Sequence, residues 1–489
     1  MIENNNVSNP KNMKNYKNGK LTLFFLLGLM LILFGCARQG GRPRDNKMGD
    51  SGISNDSSQT TTGRNGSEQI VPIIENPTIT PGMSYDGGVK EMTGSQNNIT
   101  DCNGVTKINL FIENSASMNG FINNASEFQN AITALTSKLK DKYGKDYIQL
   151  GFINASVVTK IGDDPYKVVE NMLVKNNFTS AGKTSTTDLN NLIELVLGNT
   201  DENTLTFFIS DCIYSIKDKG ATPTLLANCQ NGTMDVFQEK LKTINDLSIL
   251  FVRMESNFDG GYWDYLHPSG KASQQLTDCN RPYFICVVGS DTNIKELNSR
   301  IRMEDLKGYG QQYYLSGKNY SNTFYTAISR PGNKGRYKVE DSSTIRLINT
   351  NDLQFAIAIN LNGFPMSDEE KTNPANYEID GDFNIVEIKP INNNIRNQFA
   401  PNEINNIESN GCTHLLVVSS KVFPSDFSIK IKPTIPEWVN KLSSTDDTGI
   451  SNDNKEELRK TFGISYFING AAAAYERDSY FTMNIKIKR

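Results

Sequence analysis

The chain has 489 residues, with 50 Lys and Arg against 54 Asp and Glu, and a formal net charge of −4 at pH 7. This length exceeds that of one ordinary domain and predicts two or three. No basic stripe stands out along the sequence, which argues against a nucleic-acid-binding surface.

The N-terminus is predicted to be a secretory leader. Four lysines precede the apolar run 21–34, which is shorter than the about 20 residues that span a bilayer. The chain then reads Leu-Phe-Gly-Cys at residues 33–36, which resembles the bacterial lipobox. The resemblance implies that residues 1–36 are a lipoprotein signal peptide and lipobox, that lipid is attached to Cys36, and, from Ala37, that the protein is sent to the outer membrane. A plain signal anchor with an incidental cysteine is the alternative.

Residues 37–104 are predicted to form a disordered tether. They are rich in Gly, Ser, Thr, Asn and Asp and, apart from 70–74, contain almost no apolar cluster. Such a segment cannot bury enough apolar surface to offset the entropy of ordering it. We therefore expect it to link the lipid anchor to the folded part of the protein.

Residues 105–303 alternate between strand and helix patterns. Mostly continuous apolar runs, as in strands that are covered on both faces, lie at 107–112, 147–153, 204–209, 247–252 and 283–288. Apolar residues at helical spacing lie between and after these runs, and Asp188 is well placed as an N-cap. The alternation predicts an α/β fold with a doubly wound, mostly parallel, Rossmann-like sheet.

Two features of this region leave alternatives open. The Gly- and aromatic-rich stretch 257–280 is either a binding loop or a small hairpin packed on the domain, and packing is favoured. Six cysteines besides Cys36 permit disulfides outside the cytoplasm, but their pairing does not follow from sequence. We predict a Cys212–Cys229 pair, because these residues bracket one loop, and a buried thiol at Cys286.

Residues 304–489 have a different character. Short strand patterns, some alternating apolar with polar residues, lie at 345–348, 353–361, 377–379, 384–389, 415–418, 427–432 and 480–488. This number of strands, joined by Asn-, Pro- and Asp-rich turns, predicts a β-sandwich-like domain. One helix is predicted at about 456–475.

Polar residues suited to a metal ion follow two of the predicted parallel strands. The first strand ends in Glu113, Ser115 and Ser117, Thr187 precedes a helix, and Asp211 follows the strand 204–209. Oxygen ligands suit a hard divalent cation, and ligands of open α/β sheets bind beyond the carboxyl ends of the strands. Glu113, Ser115 and Ser117 therefore predict oxygen ligands for a metal ion at that edge of the sheet.

These residues resemble the metal-ion-dependent adhesion site of the von Willebrand factor A domain, which has an Asp-x-Ser-x-Ser motif, a Thr from a second loop and an Asp after the fourth strand. Glu113 stands where the family usually has Asp. The resemblance implies Mg²⁺, or Mn²⁺ or Ca²⁺, bound by Ser115, Ser117 and Thr187, with Glu113 and Asp211 holding coordinating waters. It also implies that an acidic side chain of a partner completes the metal's coordination shell.

The sequence thus predicts a membrane-anchored envelope lipoprotein that is not an enzyme and that binds a protein or a cell-surface ligand. One alternative is a metal-independent scaffold of an envelope complex, which the longer side chain of Glu113 favours. A less favoured alternative is an envelope hydrolase in which Glu113, Asp188 and Asp211 perform acid–base chemistry.

Overall fold

The computed structural model describes residues 104–489, apart from residue 124 and the segments 183–187 and 217–219. The predicted leader, the tether, Cys36 and Thr187 lie outside these described residues. Among the residues that are described, no helix is both long and apolar enough to cross a membrane.

A seven-stranded mixed sheet forms the first part of the structure. Its strands are β1 (Lys107–Glu113), β2 (Ile148–Ile153), β3 (Val157–Lys160), β4 (Thr204–Ser210), β5 (Leu247–Tyr262), β6 (Gln274–Ser290) and β7 (Tyr309–Leu315). They lie in the order β3-β2-β1-β4-β6-β5-β7. Only β2, β1 and β4 are mutually parallel; every other neighbouring pair in this sheet is antiparallel.

The prediction of a mostly parallel sheet is therefore correct only for the three strands β2, β1 and β4. β5 and β6 form one long hairpin, so their pairing is antiparallel, and β6 rather than β5 pairs with β4. The stretch 257–280 is the outer half of this hairpin, and we call it the arm.

Helices cover both faces of the sheet. They are α1 (Glu127–Tyr143), α2 (Pro165–Met172), α3 (Lys175–Ser180), α4 (Leu189–Gly198), α5 (Thr222–Leu241) and α6 (Asp291–Arg300). α1 begins at a capping box in which the Ser126 hydroxyl accepts from the Gln129 amide. The predicted N-cap of α4 is confirmed, because the Asp188 carboxylate accepts a hydrogen bond from the Asn190 amide at 3.0 Å.

Alternate residues of the central strands face two separate cores. On β1, Ile108, Leu110 and Ile112 pack into one core, whereas Phe111 packs into the other. These four side chains are fully buried. Burial on both faces explains why β1 and β4 read as continuous apolar runs.

Two further sheets follow. Their strands are β8 (Tyr325–Ile328), β9 (Tyr337–Asp341), β10 (Thr344–Leu347), β11 (Leu353–Ile359), β12 (Tyr377–Ile379), β13 (Asn384–Pro390), β14 (His414–Ser420), β15 (Asp426–Ile431) and β18 (Phe481–Lys488), while β16 (Ser443–Ser444) and β17 (Thr461–Phe462) form a separate short pair. One sheet has the order β12-β15-β18-β10-β9 and the other β13-β14-β11-β8. Side chains of both sheets share one core, which includes Phe355, Leu416, Ile429 and Met483.

Short helices accompany these sheets. They are α7 (Asp368–Thr372), α8 (Asn393–Arg396), α9 (Pro401–Ser409), α10 (Glu437–Lys441), α11 (Lys455–Leu458) and α12 (Ile464–Ala473). The single helix predicted at 456–475 is wrong: it is two helices separated by β17 and by Gly463, whose φ is +76°. A Cβ on Gly463 would lie 2.7 Å from the Tyr214 ring, so both the backbone and the packing require glycine there.

Segments beyond residue 304 return to the seven-stranded sheet. β7 is its edge strand, and α12 packs on α5 so closely that a Cβ on Gly470 would lie 2.6 Å from the Gln230 carbonyl oxygen. Residues 447–460, which we call the strap, contribute Ile450 and Leu458 to a core of the first sheet. The predicted boundary at 303/304 thus separates segments that share a core.

Four of the described cysteines carry free thiols, among them Cys212. The other three are Cys279, Cys286 and Cys412. The predicted Cys212–Cys229 pair is therefore not formed. The buried thiol at Cys286 is confirmed, and Cys212 lies in the same core.

Candidate functional site

A cavity of about 320 Å³ lies beyond the carboxyl ends of β1 and β4. The turns after the two strands form one wall, and the arm forms the other. Its lining residues are Glu113, Ser115, Ala116, Ser117, Asp211, Ile213, Tyr214, Ser215, Tyr262, Trp263, Asp264, Tyr265, Pro268 and Gly270. Four of the five predicted metal-site residues therefore line one cavity.

The last residue of β1 and the turn that follows place an acid and two serines on the cavity wall. A 3-10 turn (Ala116–Phe121) starts directly after the strand, with Ser115 as its N-cap residue. The Ser115 side chain makes no capping hydrogen bond, and its Oγ lies 3.0 Å from Ser117 Oγ. Both hydroxyl groups are thus beside one another at the cavity.

The Glu113 carboxylate is held by the neighbouring strand. Ser210 Oγ donates a short hydrogen bond to Glu113 Oε2, and the Cys212 amide donates to Ser210 Oγ at 2.8 Å. Ser210 therefore links the turn after β1 to the turn after β4. The sequence shows Ser210 next to Asp211, but nothing in the pattern indicates that it binds Glu113.

Asp211 is a buried acid, with only 5% of the residue exposed. Burial raises the pKa of its carboxyl group, against hydrogen bonds from Ser117 and the Ile213 amide and the charge of Arg281, which lower it. A cation bound near this carboxylate would offset part of the cost of burying its negative charge.

The C-terminal end of α3 is tied to the ends of β1 and β2. Asn114 Nδ2 donates to the carbonyls of Phe178, at 2.9 Å, and Ala181, at 2.7 Å. Asn154 Nδ2 donates to Asn114 Oδ1 at 2.7 Å. Sequence reasoning did not identify either asparagine, although Asn114 lies inside the predicted motif.

The arm supplies aromatic rings and a third acid. Trp263 Nε1 donates to the Gly270 carbonyl at 3.1 Å, which fixes the indole within the arm. Tyr265 stacks on Phe462, with ring centroids 5.7 Å apart and planes within 3°. The sequence showed these aromatic residues as a cluster, and the structure places them opposite the turns after β1 and β4.

The strap holds the arm in place through polar contacts. Asp447 accepts hydrogen bonds from the Tyr262 hydroxyl at 2.7 Å and from the Tyr265 amide at 3.0 Å. Arg281, a buried residue at the base of the arm, donates to three strap carbonyls and lies 4.9 Å from the centroid of the Tyr262 ring. Burial raises the pKa of Asp447. These contacts join residues about 180 positions apart and have no signal in the sequence.

The residues that line the cavity supply only some of the ligands that a divalent ion needs. Among the described residues, no group of three or more His, Cys, Asp or Glu side chains could hold a metal. The site would instead depend on hydroxyls, and Ser115, Ser117 and Asp211 lie together as such a site requires. Asp188, which the hydrolase alternative needs, instead caps α4.

Comparisons with known proteins do not identify a relative. No protein-family model, no curated protein and no solved structure matches this chain. The residues of the cavity are therefore the basis for a functional inference.

Proposed function

We propose that the protein is an envelope lipoprotein, anchored in the outer membrane by lipid on Cys36, whose von Willebrand factor A-like part binds a protein or surface ligand in this cavity. A β-sandwich-like part follows it. The observation that carries the proposal is the cavity itself, where the turns after two parallel strands face the arm. The protein acts by binding and not by catalysis.

A divalent cation is part of the proposal. Ser115, Ser117 and Thr187 would hold Mg²⁺, Mn²⁺ or Ca²⁺, while Glu113 and Asp211 would hold its coordinating waters. The ion would supply a positive charge beside the buried Asp211 carboxylate, and a carboxylate of the partner would complete its shell. Glu113 reaches further than Asp would, so the less strict geometry of Mn²⁺ or Ca²⁺ suits the site better than that of Mg²⁺.

Thermal unfolding of the full-length chain tests the metal. A cation that binds only the folded state raises the unfolding temperature by mass action, so millimolar Mn²⁺ or Ca²⁺ should raise it. Asp211→Ala should abolish this rise, and Glu113→Asp should add a response to Mg²⁺. Glu202→Ala is the matched control, because it removes an exposed acid at the opposite end of β4. It should leave the rise unchanged.

The second candidate is a metal-independent scaffold of an envelope complex. The observation that favours it is the hydrogen bond from Ser210 to Glu113, which gives this acid a role within the fold. If no divalent ion at millimolar concentration shifts unfolding, and Glu113→Asp gains no response, the metal proposal is wrong and the scaffold is preferred.

A further inference from the structure

The arm's side of the cavity has a chemistry different from that of the turn after β1. Asp264 lies between Trp263 and Tyr265 in the chain, and all three line the cavity. Only 5% of Asp264 is exposed, so its carboxylate is buried at the cavity wall. The arm therefore presents a buried acid flanked by aromatic residues.

One oxygen of this carboxylate is engaged and the other is not. Asp264 Oδ1 accepts from the amides of Leu266 and His267, at 2.9 and 3.1 Å, and lies 2.9 Å from His267 Nδ1. No described residue donates a hydrogen bond to Asp264 Oδ2. The bonds to Oδ1 fix the orientation of the carboxylate and leave Oδ2 as an acceptor for a ligand.

The cavity also lacks a basic side chain of its own. None of the described lining residues is Lys, Arg or His, whereas three of them, Glu113, Asp211 and Asp264, are acids. A buried carboxylate is stabilised by a positively charged hydrogen-bond donor. Aromatic rings attract the same kind of group through cation–π contacts.

We infer that the arm forms a subsite for an organic cation, the guanidinium or ammonium group of a basic side chain on the partner. The guanidinium N–H groups, or the ammonium hydrogens, of this basic side chain donate to Asp264 Oδ2, while the rings of Trp263 and Tyr265 surround the side chain's alkyl stem. A metal ion is a poorer match here, because one carboxylate oxygen among aromatic rings cannot supply the six or more oxygen ligands such ions take. The inference rests on the proposed function only in taking the cavity as a binding site, and it does not need the metal.

The subsite is preorganised. Trp263 is fixed by its bond to Gly270, and Tyr265 by its stack on Phe462 and by the bond of its amide to Asp447. A ligand therefore meets groups already held in place, which lowers the entropy cost of binding.

Tryptophan fluorescence provides a direct test. The chain has two tryptophans, Trp263 and Trp438. In the full-length Trp438→Phe variant, Trp263 is the only indole and reports on the arm. The probes are N-acetyl-arginine amide and N-acetyl-citrulline amide, which have nearly the same shape but differ in charge.

The arginine probe should change the Trp263 emission saturably, and the citrulline probe should bind at least about tenfold more weakly, as loss of one charge-assisted contact predicts. Asp264→Asn should remove this preference, because asparagine can keep the bonds to the two amides but not the charge. Asp259→Asn, which changes an exposed acid of the arm that does not line the cavity, should keep it. If Asp264→Asn does not fold, salt decides instead: arginine binding to the parent should weaken as ionic strength rises.

Other outcomes overturn the inference. Equal binding of the two probes, a preference that survives Asp264→Asn, or salt-independent arginine binding would each exclude a cation subsite. Methyl glucoside binding in place of arginine would assign the arm to neutral saccharides. Arginine binding without any metal response would contradict only the metal proposal, and a metal response without arginine binding would contradict only the subsite.

Discussion

Two hydrogen bonds to Asp447 of the strap hold the arm, which forms one wall of the cavity. Asp447→Ala leaves two donors without their acceptor, the Tyr262 hydroxyl and the Tyr265 amide. A buried donor without a partner costs about 1–3 kcal/mol, and Tyr262 is 2% exposed. Tyr265 is half-buried, so its amide can be partly rehydrated, and removing the buried Asp447 carboxylate returns its own desolvation cost. We expect a net loss of about 2–3 kcal/mol in the free energy of unfolding.

Denaturant unfolding of the full-length chain measures this loss. The matched control is Asp446→Ala, since Asp446 is an exposed neighbour whose side chain accepts only from Thr448. It should cost less than about 1 kcal/mol. Tyr262→Phe should destabilise the parent but cost little further in the Asp447→Ala background, because the hydroxyl's partner is already gone. Equal costs for Asp447→Ala and Asp446→Ala would refute the role assigned to the strap.

Three further predictions concern single side chains. Burial raises the folded-state pKa of the Asp211 carboxyl group, so the native state binds this proton more tightly than the unfolded state does. The stabilisation from this group is therefore present below its unfolded-state pKa and is lost as pH rises through its folded-state pKa. Without metal, Asp211→Asn should raise the free energy of unfolding more at pH 7 than at pH 4, and a pH profile unchanged from that of the parent would contradict this. Gly120→Ala places a Cβ 2.3 Å from the Phe258 ring and should lower the free energy of unfolding by about 1–3 kcal/mol, as denaturant unfolding measures it. Gly198→Ala is the control, because a Cβ there meets open space at the end of α4, and it should be neutral or stabilising by up to about 1 kcal/mol. Equal effects of the two substitutions would show that the Phe258 ring moves away freely. Arg281→Met removes the donor to three strap carbonyls and should lower the free energy of unfolding by about 2–4 kcal/mol in the same assay. A loss near zero would show that water replaces the guanidinium group as the donor.

Local signals in the sequence predict the elements around the site. The apolar runs of β1 and β4 and the cap of α4 are encoded within a few residues, so their positions follow from the pattern. Glu113 is the last residue of β1, and the turns that carry Ser115 and Asp211 come directly after β1 and β4. Their convergence at one cavity follows from the parallel pairing of β1 with β4.

The other wall of the cavity could not be predicted in the same way. In the outer part of β5, polar Asn257 pairs with polar Asn280, so the apolar pattern ends before the strand does. Whether β6 pairs with β4 or follows β5 as a further parallel strand is decided by contacts distant in the chain. The bond from Tyr262 to Asp447 spans 185 positions, and no local pattern indicates it.

The return of the C-terminal chain to the first sheet has a consequence for deletion mapping. A fragment that ends at residue 303 would lack β7 and the helix that covers one core, and would expose Phe237 and Phe251. A fragment that starts at residue 304 would carry Phe467 and Ala471 without their packing partners. Loss of the proposed binding after either truncation would therefore reflect loss of folding, so the proposed binding site has to be tested by point substitutions in the intact chain.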